Sequence, residues 1–422
     1  MGSLTETSID YTVHPRVNSH DPIPPRPRPD RHADVIRTDE DAIATATRLA
    51  ADFAVGAALR DREGLLPLPE LDAYSQSGLW AINVPKAYGG PGLSYATLAK
   101  VIAIIAAADS SLAQITQNHL AINAHIDIDG TDAQKAEFFG WVLAGLRFGN
   151  AFSELNSKTV AAFETTIRYE GDEAVINGQK FYSTGALLAH IIPIVAVDPD
   201  GQGFLSFADR NAHGISISND WSSFGQRTTA SGSVNIDNVR LPRQRLLPVK
   251  AFDRPTIAGP VSQIIQSAID AGIARGAIED TIAFVRTKSR PWVDSGQDRA
   301  SEDVFTIAAI GDLSIRLHAA EALLDIAGKA IDRAHTDPSE TNVGEATVRT
   351  AESKVLTTDI AILATNKLFE LAGTRSTLAQ HGLDRHWRNA RAHTLHDPVR
   401  WKLFHVGNHY LNGIHPPRHP WS

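Results

Sequence analysis

The sequence predicts an α+β protein built in the order helices, strands, helices. Three observations carry this. Apolar residues recur at helical spacing over 38–147, short alternating stretches parted by Gly-, Asp- and Asn-containing turns fill 148–257, and long helical periodicity returns from 258 to the C-terminal region. A chain of 422 residues has room for two or three domains at about 150 residues each. The expected organisation is an extended N-terminal arm over 1–37, a helical domain over 38–147, a central antiparallel β domain over 148–257, and a C-terminal four-helix bundle with its tail over 258–422.

Each element has a local reason. Pro22, Pro24, Pro25, Pro27 and Pro29 crowd the arm and disfavour helix. Thr38-Asp39-Glu40-Asp41 is a capping residue followed by acidic first-turn residues, and apolar spacing continues from it through Arg60. Further helices are expected over 68–78, 95–107, 111–125 and 132–146. Strands are expected over 165–169 and 174–181, with Gly171-Asp172 turning between them, and over 195–198, 203–208, 214–218 and 233–239. The bundle helices are expected over 260–288, 303–335, 343–372 and 384–410; Thr336-Asp337-Pro338-Ser339 separates two of them.

Composition narrows the chemistry. The chain has no Cys, and its one Met is Met1, so disulfides, thiolate metal sites, iron–sulfur clusters and a cysteine nucleophile are excluded. A net charge of −8 argues against a nucleic-acid surface. The longest apolar run, over 101–108, stops at Asp109, well short of the roughly 18 residues of a membrane span. No secretory signal is evident, and a cytoplasmic location is the expectation. Dinucleotide-binding, Walker and serine-elbow glycine motifs are absent. His393-x-x-His396 and His405-x-x-x-His409 have metal-compatible spacing, but no Glu-containing zinc motif accompanies them. They are expected to be surface or interface histidines, with no metal site.

Four segments carry more information. They are Val84-Pro85-Lys86-Ala87-Tyr88-Gly89-Gly90-Pro91-Gly92, Gly149-Asn150-Ala151-Phe152-Ser153-Glu154, the run Asn177 to Gly185, and Phe224-Gly225-Gln226-Arg227-Thr228-Thr229-Ala230-Ser231-Gly232. In this order inside an α–β–α chain they resemble the acyl-CoA dehydrogenase superfamily over about 38–412. The resemblance implies a homotetramer binding flavin between the β domain and the bundles of two subunits. Asn150, Tyr182 and Thr184 would lie along the isoalloxazine ring, with Trp221 nearby, and Arg286 would reach the flavin phosphate from a neighbouring subunit.

The sequence also departs from the dehydrogenases. Where the common subgroup has its Glu-Gly-Thr base, this chain has Asp397-Pro398-Val399, a shorter carboxylate ahead of a proline. The glycine-rich segment that admits the adenosine half of FAD is replaced by Phe369-Glu370-Leu371-Ala372-Gly373-Thr374-Arg375. A guanidinium at Arg375 would obstruct a dinucleotide and suit a terminal phosphate, which favours FMN over FAD. The stretches Phe284 to Trp292, Asp384 to Asn389, His396-Asp397-Pro398 and Gly407 to Gly413 resemble the reduced-flavin branch that holds dibenzothiophene monooxygenase and the sulfur-acquisition oxidoreductases linked to dimethyl sulfone.

That branch implies a two-component monooxygenase. A separate flavin reductase supplies FMNH₂, which reacts with O₂ to give a C4a-hydroperoxyflavin that oxygenates a small organosulfur compound. His119 and His396 match the histidines placed near the reacting part of the flavin, and Thr184 stands where the branch has a serine. The alternative is an FAD-dependent acyl-CoA dehydrogenase with Asp397 as base.

Overall fold

The structure is a computed structural model, and it describes residues 16–18, 23, 27–155 and 163–422. Most of the expected extended arm lies outside the described residues. The chain has the predicted α–β–α order. The first helical block comprises α1 (Asp39–Ala54), α2 (Ala57–Glu63), α3 (Leu68–Gln76), α4 (Tyr95–Ala108), α5 (Ser110–Asp129) and α6 (Asp132–Leu143). Thr38 caps α1 by accepting the Asp41 N–H, as its sequence context predicts.

Seven strands follow: β1 (Thr166–Glu170), β2 (Glu173–Lys180), β3 (Ile191–Val197), β4 (Gly203–Asp209), β5 (Ile215–Ile217), β6 (Val234–Pro242) and β7 (Leu246–Pro248). They form one sheet in the order β5-β6-β2-β1-β3-β4-β7. The expectation of a wholly antiparallel sheet needs one correction, because β1 and β3 pair in parallel. The chain leaves β2 through the loop over 181–190 and re-enters on the far side of β1, so no hairpin joins β2 to β3. β3 also starts earlier than expected. Ile191 to Ile194 are buried without interruption, which erases the alternation that marks a half-exposed strand.

The C-terminal block holds α7 (Ala258–Thr287), α8 (Val304–Thr336), α9 (Glu340–Ala372), α10 (Asp384–His393) and α11 (Arg400–Asn412). α7 and α8 pack on α9, and α4 packs on α7. At that last crossing a Cβ on Gly272 or Gly276 would stand 2.4 Å from the carbonyl of Ala103 or Ala107, so only glycine permits the approach. One apolar core runs through both helical blocks, a second fills one face of the sheet, and a third joins α5 and α6 to the sheet, where Phe138 stacks on Phe207.

The sequence reading of 384–410 as one helix is incorrect. Helix α10 stops at His393 and α11 begins at Arg400. Pro398 explains the break: it lacks an N–H and its ring disfavours helical geometry at the residue before it. His396 and Asp397 lie in the gap. Among the described residues no single helix is long and apolar enough to cross a membrane.

Candidate active site

Helix α5 is the wall on which the site is built. Its buried residues include Gln114, Thr116, Gln117 and His119, an unusual polar content for a helix enclosed on nearly every side. On one flank lies the loop after β2. Gly185, beside Thr184, sits so close to α5 that a Cβ there would be 3.1 Å from Ile115 Cγ2. On the other flank is the α10–α11 break, where Gln114 Nε2 is 2.8 Å from His396 Nε2. The Thr184 loop and His396 therefore meet neighbouring positions of one helix.

The β-domain loops are tied together by hydroxyl and amide groups. Thr184 Oγ1 is 2.8 Å from Ser231 Oγ, which is 2.7 Å from Thr229 Oγ1. Thr229 Oγ1 and Trp221 Nε1 both donate to the Gln226 carbonyl. Gln226 is a hub, since its N–H donates to Asn389 Oδ1 on α10 at 2.7 Å and its side-chain amide reaches Ser110 Oγ on α5. Asn150 accepts the Phe152 N–H through Oδ1 and contacts the Tyr182 carbonyl through Nδ2. Tyr182, Gln226 and Ala230 all hold left-handed backbone at φ of +56°, +51° and +48°. Non-glycine residues rarely adopt this geometry, and its concentration in two facing loops is typical of a site whose surroundings enforce it. The Tyr182 ring is half exposed and stands edge-on to Trp221 at 6.1 Å.

Two segments singled out by sequence serve as scaffolding. Glu154 binds Lys180 Nζ at 2.6 Å and Thr165 Oγ1 at 2.7 Å, and Lys180 also donates to the Phe152 carbonyl. Burial alone would raise the Glu154 pKa; the hydrogen bonds from Lys180, the Glu164 N–H and Thr165 outweigh it and lower it. The Val84–Gly92 segment closes on itself, with the Gly92 N–H donating to the Val84 carbonyl.

The two histidines expected to be catalytic differ sharply. His119 is fully buried between Trp80 and Phe148. Its Nδ1 accepts the Phe148 N–H at 3.0 Å, which leaves the proton on Nε2, donated to the Trp80 carbonyl at 3.0 Å. Desolvation holds its pKa down at about 3. Both nitrogens are bound to backbone, so His119 has none left to serve a substrate. In this structure His119 anchors the segment leading to Asn150 onto α5.

His396 lies exposed in the break, reachable by solvent on one side and held to α5 and α10 on the other. Its Nδ1 donates to the His393 carbonyl at 2.7 Å, leaving Nε2 as an acceptor toward Gln114. Desolvation, then the neighbouring His393 ring, lowers its pKa to about 4. His393 is buried and its Nδ1 is 2.6 Å from Asp270 Oδ1; Asp270 Oδ2 binds Lys354 Nζ at 3.0 Å and Thr358 Oγ1 at 3.1 Å. Burial works to raise the Asp270 pKa, but Lys354 and His393 overcome it and hold the carboxyl ionised. Asp397 faces a different partner. Its Oδ2 is 3.4 Å from Lys402 Nζ, both side chains are buried, and Lys402 also donates to the Trp421 carbonyl.

Arg286 and Arg375 are exposed at the far end of α7. Arg375 donates to the Lys288 carbonyl at 2.9 Å, and among the described residues neither arginine pairs with a carboxylate. Sixteen residues separate Asp270 from Arg286 on α7, or about 24 Å at helical rise. Within one chain, therefore, the arginines stand well away from the His393–His396 region. Among the described residues no group of three or more His, Asp or Glu converges as a metal site. Sequence reasoning missed Gln114, Gln226, Asn389, Asp270, Lys354 and Lys402. The one signal available was the polar content of α5.

Comparison with known proteins follows from this geometry. Models of the acyl-CoA dehydrogenase N-terminal, middle and C-terminal domains match residues 38–145, 151–239 and 264–401. The chain belongs to the acyl-CoA dehydrogenase family. Dibenzothiophene monooxygenase of Rhodococcus qingshengii is 33% identical over 396 residues, covering 90% of this chain and 95% of the relative. The probable FMNH₂-dependent monooxygenase SfnC of Pseudomonas putida is 31% identical over 389 residues, covering 89% and 96%. The crystal structure of FMN-bound TdsC from Paenibacillus sp. A11-2 superposes with a TM-score of 0.86 at 33% identity, covering 90% of this chain and 100% of that one.

Proposed function

We propose that this protein is the oxygenase half of a two-component flavin monooxygenase. It takes FMNH₂ from a separate reductase and places one atom of O₂ on a small organosulfur compound of the sulfone or sulfide type. The other oxygen atom leaves as water. The family relatives support the cofactor and the reaction class. The observation that carries the reading within this chain is the α10–α11 break. It presents His396 to Gln114 on α5, one position along that helix from Ile115, against which the Thr184 loop packs, while Asp397, the candidate for a dehydrogenase base there, is paired with Lys402.

The residues present fit FMN. Asn150, Thr184 and the backbone around Tyr182 would hold the ring edge, and the Tyr182 and Trp221 rings would flank it. The guanidiniums of Arg286 and Arg375, which pair with no carboxylate among the described residues, suit a single terminal phosphate. Reduced FMN, when bound, supplies the two electrons that activate O₂. The chain's own work is positional and protonic. Thr184 presents a hydroxyl fixed by Ser231, and His396 presents an Nε2 able to accept or return a proton. The distance of Arg286 and Arg375 from the His393–His396 region of their own chain favours a site completed by a second subunit. Exposed apolar residues agree with such assembly: Phe305 and Ile315 on α8, and Phe404 and Leu411 on α11, are each more than half exposed. A homotetramer working in the cytoplasm is the form proposed.

The test is anaerobic titration with FMNH₂ and FADH₂, followed by mixing with oxygen and a panel of sulfides and sulfones. Expected are tighter binding of FMNH₂ and oxygen consumption that requires a reductase. Tight FAD reduced by an acyl-CoA would refute the proposal.

A further inference from the structure

His119 on α5 and His396 in the break differ in one respect that has a chemical consequence. His119 has two backbone partners, one donor and one acceptor, neither of which can change character. His396 has one backbone acceptor, the His393 carbonyl, and one side-chain amide, Gln114. That amide is buried, and among the described residues its Oε1 has no partner while its Nε2 meets the imidazole. A buried amide oxygen without a hydrogen bond is costly, and this one stands within reach of the same imidazole nitrogen after half a turn of the amide. We propose that Gln114 is the positioning residue that sets the proton state of His396, donating to neutral Nε2 through its NH₂ and accepting from protonated Nε2–H through its oxygen. The inference rests on His396 handling protons in the site proposed above.

The surroundings leave this task to Gln114. On α7 and α9, Asp270 and Lys354 form a closed buried pair, and on α10 His393 is turned toward Asp270. In the break and on α11, Asp397 and Lys402 form a second pair. On α5 the nearest charge, Asp109, is held by Arg60. With the surrounding charges matched in pairs, the side chain in contact with Nε2 decides whether the imidazolium is tolerated.

The experiment is nitrogen NMR of ¹⁵N-histidine-labelled full-length protein across pH, with the His396 resonances identified by their loss in His396→Asn. In the wild type, Nδ1 is expected to carry the proton at neutral pH and Nε2 to be bare. Gln114→Glu puts a carboxylate against Nε2 and is expected to raise the His396 titration by about one pH unit or more, tenfold in proton affinity. The acid limb of the pH–rate profile should move with it. Gln114→Met, which can neither donate nor accept, should give no upward shift. A wild-type His396 protonated on Nε2 at neutral pH, or an unmoved titration in Gln114→Glu, overturns the proposal; the wild-type tautomer needs no variant to fold. If the titration moves but the protein neither binds FMNH₂ nor consumes O₂ with a reductase, the functional reading fails while the Gln114–His396 coupling stands.

Discussion

His119 offers the most direct test of how the site is built. The perturbation is His119→Gln, which replaces the imidazole with an uncharged group that still has one donor and one acceptor. In the native state the His119 pKa is about 3, against about 6.5 in the unfolded chain. Between those values the unfolded chain binds the extra proton and the native protein does not. Stability contributed by neutral His119 is therefore complete above about pH 6.5 and is lost as pH falls. At pH 5, roughly 1.5 units below the unfolded value, the loss is about 2 kcal/mol. The variant lacks that titration. Denaturant unfolding of both proteins at pH 7.5 and pH 5 should show the wild type losing about 2 kcal/mol more than the variant across the interval. At pH 7.5 the variant should be weaker by about 1–3 kcal/mol, from imperfect pairing of the Phe148 N–H and lost contact with Trp80 and Phe148. Turnover per folded protein should stay within a few-fold. Parallel acid profiles would refute the neutral anchor, and a hundredfold loss of turnover with stability intact would return His119 to the chemistry.

Three further outcomes follow from the same geometry. His396→Ala should lower substrate oxygenation by about 10²–10⁴-fold while FMNH₂ is still oxidised by O₂, seen as peroxide replacing product. Arg286→Ala or Arg375→Ala should weaken FMN binding by about 1.5–3 kcal/mol, the worth of a charge-assisted hydrogen bond, and leave riboflavin binding unchanged by calorimetry. Lys402→Met should destabilise the protein by about 3–5 kcal/mol, because Asp397 stays buried without its cation; Lys402→Met with Asp397→Asn should recover much of that, and a double variant as weak as the single one would deny the coupling.

The α–β–α order was legible because it depends on local periodicity and turn residues, which a sequence displays directly. The segments that bear Asn150, Tyr182 and Thr184 were visible as motifs whose order carries the family resemblance, whereas Trp221 stands just before the last of them. Gln114 was not legible. It lies among several polar residues of α5, and nothing local distinguishes the one facing His396, 282 positions away. Asp270 and Lys354 were hidden for the same reason, as each looks like an ordinary helical charge until its helix packs. The α10–α11 break is a different failure. Pro398 is visible in the sequence, and its missing N–H should have ended the helix; the flanking apolar spacing hid a signal that was present.

That break decides the chemistry available to the chain. A continuous helix through 394–399 would have satisfied its own backbone. By interrupting it, Pro398 frees the His393 carbonyl to accept from His396 Nδ1, which fixes the tautomer and turns Nε2 toward α5. The next residue, Asp397, pairs with Lys402 on the following helix, whose ammonium the Trp421 carbonyl also holds. Freeing that carboxylate for proton abstraction would leave Lys402 buried and unpaired, a penalty of several kcal/mol before any substrate is bound. Protonating His396 works against the burial that holds its pKa near 4, but it leaves the Asp397–Lys402 and Asp270–Lys354 pairs intact and lets the Gln114 oxygen accept from Nε2–H. The route that breaks no buried ion pair at this corner of the fold is therefore proton exchange at an imidazole, which is what oxygen transfer needs and carboxylate-driven dehydrogenation does not.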